Sequence, residues 1–311
     1  MQSHSTPTRF VRYAWFVVAY NLAVIAWGAY VRATGSGAGC GDHWPLCNGE
    51  IIPRAESIET LIEFSHRLTS GIDGIFILIL FFWAFKAFEK GSRQRRWAAL
   101  TLFLVIVEGG LGAGLVKYEL VADNKSLARG VAMAAHLCNT FLLVAAATLT
   151  AWTASGGRHP KRIDRRSAAL FAVALAGTMI LGMSGAITAL GDTLYPVDSF
   201  AEGLAMDLSP TAHLFVRLRV FHPAIAAVVG LGLVGLGWWS SGRWSERWVQ
   251  TPARMVIGLV FVQLLVGTTN VILAAPVWIQ MVHLLLADML WLSLVTLMAG
   301  ALYAADRPAG G

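Results

Sequence analysis

Charge is scarce in this chain: Asp, Glu, Lys and Arg make up 14% of 311 residues, against about 25% in a soluble globular domain. That scarcity excludes an ordinary soluble fold. Cysteine is scarcer still, and three residues are too few for a disulfide scaffold. No cysteine cluster or carboxylate set accompanies the histidines, which disfavours a zinc or di-iron site. The net charge of +6 does not imply a nucleic-acid partner, because the basic residues gather in particular loops. A cleavable signal is also missing. Met1–Arg12 is polar and the apolar run behind it has full membrane length.

What is abundant is apolar sequence, 56% of residues with a mean hydropathy of +0.62. Runs of about 20 residues with few charges mark membrane-spanning helices. They read as Tyr13–Val31, Leu61–Phe85, Trp97–Lys117, Gly130–Thr153, Ser167–Leu190, Leu218–Ser240, Ala253–Leu273 and Val277–Tyr303. The last two come from one run divided at Ala274-Ala275-Pro276, since proline ends helices and an unbroken helix would overshoot the bilayer. The fold class is therefore all-α integral membrane, with eight transmembrane helices. Of the 24 Lys and Arg, sixteen fall in the N-terminal segment, the second, fourth and sixth loops and the tail. Positive-inside bias then places both termini in the cytoplasm of a multi-pass cell-membrane protein. The long loops, residues 32–60 and 191–215, fall outside.

The halves of the chain repeat one another. Gly28-Ala29 matches Gly185-Ala186 at an offset of 157, and His66 and Gly74 match His222 and Gly230 at 156. Leu111-Gly112 and Val116 match Val266-Gly267 and Val271 at 155, and His136 matches His283 at 147. The expected organisation is two tandem pseudo-symmetric four-helix bundles, residues 1–157 and 158–311. An even helix number per unit makes the repeats parallel, unlike those of inverted-repeat transporters.

His4, His43, His159 and His213 fall in the tail or loops, whereas His66, His136, His222 and His283 lie near the outer ends of helices two, four, six and eight. A lone membrane histidine is more often a packing residue than a ligand. Four at equivalent depth, two per unit, reverse that, because paired imidazoles across a helical bundle hold a haem iron from both faces. Gly74 and Gly230 each follow a histidine by eight residues, and a glycine there lets a flat macrocycle approach the backbone; the alternative is helix packing. Arg67, Arg129, Arg217 and Arg219 lie at the same level, as partners for haem propionates or as headgroup anchors. Cys40 and Cys47, seven apart on the oxidising side, read as a disulfide, either a staple or a redox group. Cys138 reads as a small packing residue. Asp73, Glu108 and Asp288 are intramembrane acids, for which a proton path or a polar bridge is the default.

Taken together, these residues resemble the haem A synthase family. The likeness rests on Gly28–Gly37, the Cys40–Cys47 loop with Asp42, Trp44 and Pro45, Glu63 with His66-Arg67, His136-Leu137, His222-Pro223, Gln263–Gly267 and His283, and it covers nearly the whole chain. The resemblance implies an oxidoreductase that converts haem O to haem A, turning the C8 methyl of the porphyrin into a formyl group for terminal oxidases. It implies a substrate haem between His66 and His136 and a cofactor haem b ligated by His222 and His283. Arg217 and Arg219 would lie near the cofactor, Glu63 would be the catalytic carboxylate, and Cys40/Cys47 the loop disulfide. Implied partners are haem O and membrane lipid, with haem O synthase, an electron acceptor and a second copy of the chain as further candidates. Some members carry a second cysteine pair in the third outer loop. Gly191–Ala212 has none, so a relay through both halves is not implied.

An asymmetry between the repeats agrees with that assignment. The counterpart of Glu63 is Arg219: an arginine suits a permanently held haem, and a carboxylate suits proton transfer. The competing reading is a di-haem b-type electron-transfer cytochrome linked to quinol. A transporter ranks third.

Overall fold

The computed structural model describes residues 8–54, 57–156 and 164–304. Expectations that fall on His4, His159, Arg158, Lys161, Arg162 and Arg307, and the boundary between 157 and 158, lie outside the described residues.

Ten α-helices follow in order: α1 Thr8–Ala33, α2 Ile58–Ala87, α3 Arg93–Lys117, α4 Leu127–Ala154, α5 Arg165–Leu194, α6 Phe200–Asp207, α7 Leu214–Arg219, α8 Phe221–Arg243, α9 Arg247–Ile272 and α10 Val277–Ala301. Val220, itself α-helical in backbone, joins α7 to α8. Among the described residues there are thus eight spans long and apolar enough to cross a membrane. All eight expected spans are present, most of them a turn longer than the apolar runs. The extra turns come from polar caps: Ser57, Ser92, Ser126 and Asp164 each accept the backbone N–H three residues on, contacts that stabilise a helix start by about 1 kcal/mol.

The expected outer loop over 191–215 is a correction. α5 runs on to Leu194, α6 occupies part of the segment, and α7 begins at Leu214. Ser199 caps α6 through the Glu202 N–H, while the Glu202 carboxylate accepts from the Asp198 N–H, a variant of the capping box. The division at residues 274–276 holds. Ala274 and Ala275 both have positive φ, and the Ala275 N–H reaches back to the Asn270 carbonyl at 2.8 Å. Leu120 makes the same bond to Leu115 beside Glu119, also at positive φ. Both turns are Schellman-like helix ends, and they lie 155 residues apart, the offset read from the sequence.

α1 packs on α2 and α4, α2 on α3, and α3 on α4; α5 packs on α7 and α8, α8 on α9, and α9 on α10. The two groups meet where α4 lies on α5 and α10 and where α1 lies on α10. One apolar core gathers Phe10, Ile77, Leu80, Leu104 and Leu143. The other gathers Phe141, Phe171, Leu233, Trp291 and Leu294. α4 contributes to both. α4 and α10 are the most enclosed spans, at 44% and 56% buried, whereas α5 and α9 are at 11%; the first pair is central and the second faces outward. Outward faces carry large bare apolar side chains such as Phe82, Phe103, Ile106, Leu231 and Trp238, as lipid contact requires.

Candidate functional site

The first turns of α2 form a docking point for the loop before it. Cys40 and Cys47 are joined by a disulfide and are both buried. The loop closes on itself through the Cys47 N–H to Glu50 O at 3.0 Å and the Asn48 N–H to Cys40 O at 3.1 Å. It then lands on α2: the Thr60 hydroxyl donates to Gly39 O at 2.7 Å, and a Cβ on Gly39 would sit 2.4 Å from the Glu59 carbonyl. Only glycine fits there.

Glu63 and Arg67 complete the joint. One Glu63 oxygen accepts the Cys40 N–H at 2.8 Å, and the other accepts from the Arg67 guanidinium. Arg67 donates onward to His43 O at 2.6 Å and Leu46 O at 2.7 Å. Glu63 is 3% exposed, so its charge is matched by a neighbour, as a buried carboxylate must be. The expected pairing of Arg67 with a propionate therefore competes with an occupied role.

Three of the four histidines, His66, His222 and His283, line up with glycines of neighbouring helices, whereas Gly112, the counterpart of Gly267, has open space beside it. A Cβ on Gly28 would meet His66 Cε1 at 2.8 Å, one on Gly185 would meet His222 Cε1 at 3.1 Å, and one on Gly267 would meet His283 Cε1 at 3.0 Å. Each imidazole thus lies against bare backbone. The two glycines expected to let a macrocycle approach the backbone differ from each other. Gly230 meets Val260 on α9 at 3.1 Å and is a helix-packing residue, while Gly74 has open space around it.

His222 and His283 face each other with ring centres 6.4 Å apart and planes at 81°. His222 Nδ1 lies 2.9 Å from the Ser184 hydroxyl, whose hydrogen goes to Leu181 O at 2.8 Å. A hydroxyl has one hydrogen; with that hydrogen on Leu181 O, Ser184 accepts from Nδ1–H and Nε2 keeps its lone pair. Across the pair, the Gln263 amide donates to the His283 backbone carbonyl at 2.9 Å. In the first half, His136 Nδ1 lies 3.5 Å from the Glu108 carboxylate. Nδ1 of His66, His136 and His283 is buried without a hydrogen bond among the described residues.

Of the remaining expected arginines, Arg129 donates to the Ala122 and Asn124 carbonyls and ties down the turn between α3 and α4. Arg219 is buried and bridged by Asp192 of α5 and Asp207 of α6. Arg217 is exposed. Asp73 accepts from Asn21 at 2.7 Å, a polar bridge between α1 and α2; Asp288 is fully enclosed in α10. Sequence reasoning missed Ser184, Asp192, Asp207 and the contact between Glu108 and His136. Only the last carried a readable signal, because Glu108 and Gln263 are 155 residues apart. Among the described residues no three His, Cys, Asp or Glu side chains gather to hold a metal ion. His222 and His283 face each other as a pair.

The chain matches the profile of the COX15-CtaA family, cytochrome oxidase assembly protein, over residues 11–295. The chain belongs to that family. It is 50% identical over 298 residues to a Thermus thermophilus protein named "Protoheme IX farnesyltransferase", a match covering 95% of this chain and 49% of that one. It is 28% identical over 286 residues to "Heme A synthase" of Alkalihalophilus pseudofirmus, covering 88% of this chain and 91% of the relative. A "Heme A synthase" of Geobacillus kaustophilus is 43% identical over 105 residues, 33% of each chain. The chain spans about half the length of the Thermus relatives it matches.

Proposed function

We propose that the protein oxidises haem O to haem A, converting the C8 methyl of the porphyrin to a formyl group. The observation that carries this reading is an asymmetry on a repeated scaffold. Two histidine pairs occupy equivalent places, but Glu63 and Glu108 stand beside the first, where the second half has Arg219 and Gln263. We read α1–α4 and α5–α10 as tandem four-helix units (α7 and α8 counting as one), divided at 157/158, with the outer ends of α2, α4, α8 and α10 away from the cytoplasm and both termini inside.

The second pair suits a haem iron. His222 and His283, with ring centres 6.4 Å apart, would hold the iron between them. Ser184 sets the His222 tautomer that leaves Nε2 free for metal, the orienting contact that ligating histidines ordinarily have. Bound there, haem b supplies one-electron exchange between substrate and acceptor. His66 and His136 flank the substrate haem O. Turning a methyl into an aldehyde with water as the oxygen source releases protons with the electrons that go to the acceptor, and Glu63 takes the protons at the rim of the site through Oε2, the oxygen that accepts the Cys40 N–H. The exposed Arg217 meets a propionate, while Arg219 locks α6 and α7 against α5. The docked disulfide loop excludes water from above Glu63. The name of the Thermus relatives, "Protoheme IX farnesyltransferase", and the half of their length outside the match support a haem O synthase, which attaches the farnesyl group, as functional neighbour.

Membranes carrying the protein and supplied with haem O should yield formyl haem on pigment extraction. His222→Ala or His283→Ala should strip the tightly held haem b, and His66→Ala should spare most of it while abolishing product. Unaltered haem O, with equal haem loss from every histidine variant, would point to the di-haem cytochrome.

A further inference from the structure

The two histidines on the central helices, His136 on α4 and His283 on α10, have different surroundings at every polar position that the repeat aligns. Beside His136 stands Glu108 of α3, with one oxygen 3.5 Å from Nδ1. Its other oxygen accepts from the Asn139 amide at 2.6 Å, and the Thr140 hydroxyl reaches the first. At the offsets of 155 and 147, the second half places Gln263 for Glu108, Leu286 for Asn139 and Ala287 for Thr140. Three coordinated replacements turn a carboxylate with two donors into a neutral amide, which bonds to the His283 backbone instead. The glycines keep their sequence register, Gly112 for Gly267, but a Cβ on Gly267 would meet His283 at 3.0 Å while Gly112 has open space beside it.

A carboxylate inside a membrane span is costly unless it has work to do. Asn139 and Thr140 orient Glu108 but carry no charge, and His136 is its sole ion-pair partner among the described residues. The separation of 3.5 Å is one that a small turn of the imidazole closes to a hydrogen bond.

We propose that Glu108 is a positioning residue for the haem of the N-terminal half: it accepts the Nδ1–H of His136, leaves Nε2 for the iron, and strengthens that ligand as a donor. This rests on the reading that His136 ligates haem there. A carboxylate behind a ligating imidazole raises its basicity, and hydrogen bonding to axial ligands is one of the protein's levers on potential. The stronger donor favours ferric iron. Glu108 would therefore lower the reduction potential of the N-terminal haem and favour release of electrons from it.

The test is a redox titration, followed by absorbance, of detergent-solubilised protein carrying haem b and loaded with haem O. Glu108→Gln keeps a side chain that Asn139 and Thr140 can hold but removes the charge. It should raise the potential of the N-terminal haem by about 59 mV or more, a tenfold shift in the ferric–ferrous balance of a one-electron couple. It should also weaken haem O binding about tenfold and leave the C-terminal haem unchanged. Glu108→Asp should stay nearer the parent. Gln263→Glu should lower the C-terminal potential, and it carries the test alone if Glu108→Gln loses the haem or the fold. A haem-loaded Glu108→Gln with parental potentials, or a Gln263→Glu without the drop, would sink the proposal and reduce Glu108 to a bolt between α3 and α4. If His136→Ala leaves both potentials and the haem O stoichiometry intact, His136 is no ligand, and the underlying reading falls as well.

Discussion

Glu63 has two jobs available to it, and the geometry allows an experiment to separate them. Its carboxylate joins the disulfide loop to α2 through Cys40 and Arg67, and it lies one helical turn from His66. If it is the proton acceptor, Glu63→Gln should retain haem b yet lose about 100-fold or more in turnover, the scale of general acid–base catalysis. Arg67→Met breaks the same ion pair while keeping the carboxylate, so it should lose less turnover, despite a cost in stability from unpairing a buried charge. Assays of haem A formation on both variants decide the matter. Equal losses would make Glu63 a loop anchor only.

At the scale of elements, the loop 34–54 is a small unit held at a few points. The disulfide closes it, Gly39 lets it touch α2, and Arg67 binds two of its carbonyls. Because these contacts fall on the backbone at Gly39, Cys40, His43 and Leu46, they survive replacement of the two sulfurs. Replacing both Cys40 and Cys47 with Ser should therefore give a folded, haem-loaded protein with lowered turnover. Normal turnover in the double variant, measured as haem A formed per haem b, would mark the disulfide as a dispensable staple. The helix pairs α1/α2, α5/α8 and α9/α10 follow another rule: each brings an imidazole onto a glycine backbone. Added bulk at Gly28, Gly185 or Gly267 displaces the ring.

For the whole molecule, the decisive elements are the central helices α4 and α10 and the side chains that cross between halves. Arg32 of α1 donates to Ala189 O at 2.6 Å, to the Thr193 hydroxyl at 2.8 Å and to the Gln280 amide oxygen at 3.1 Å. Trp291 of α10 donates to Phe141 O at 2.8 Å and stacks on that ring. The eight spans among the described residues would put both termini on one side, and the distribution of Lys and Arg predicts that this side is the cytoplasm. Reporter fusions at Ser92 and Gly156 should report cytoplasm, and fusions at Asn124 and Ser199 the outside. The reverse pattern would overturn the orientation.

The eight spans, the proline break, the histidine series and the pair Cys40/Cys47 were all readable from the chain alone. Each is a local property: a run of apolar residues must satisfy its own backbone as a helix in lipid, and a tandem repeat preserves spacing whatever its surroundings. The short helices α6 and α7 were not read from hydropathy because neither is an apolar run, although Ser199 and Glu202 carried a cap signal. Which glycines serve the histidines was also beyond spacing. Gly74 and Gly230 were expected from helical phase to admit a macrocycle, but Gly230 packs on Val260, and three imidazoles lie on Gly28, Gly185 and Gly267 of other helices. Likewise Arg219, read as a propionate partner, is bridged by Asp192 and Asp207, the nearer of them twelve residues away. Phase along one helix says which residues share a face; only the packing of that helix on its neighbours decides what the face meets, and the partners of a buried charge follow from that.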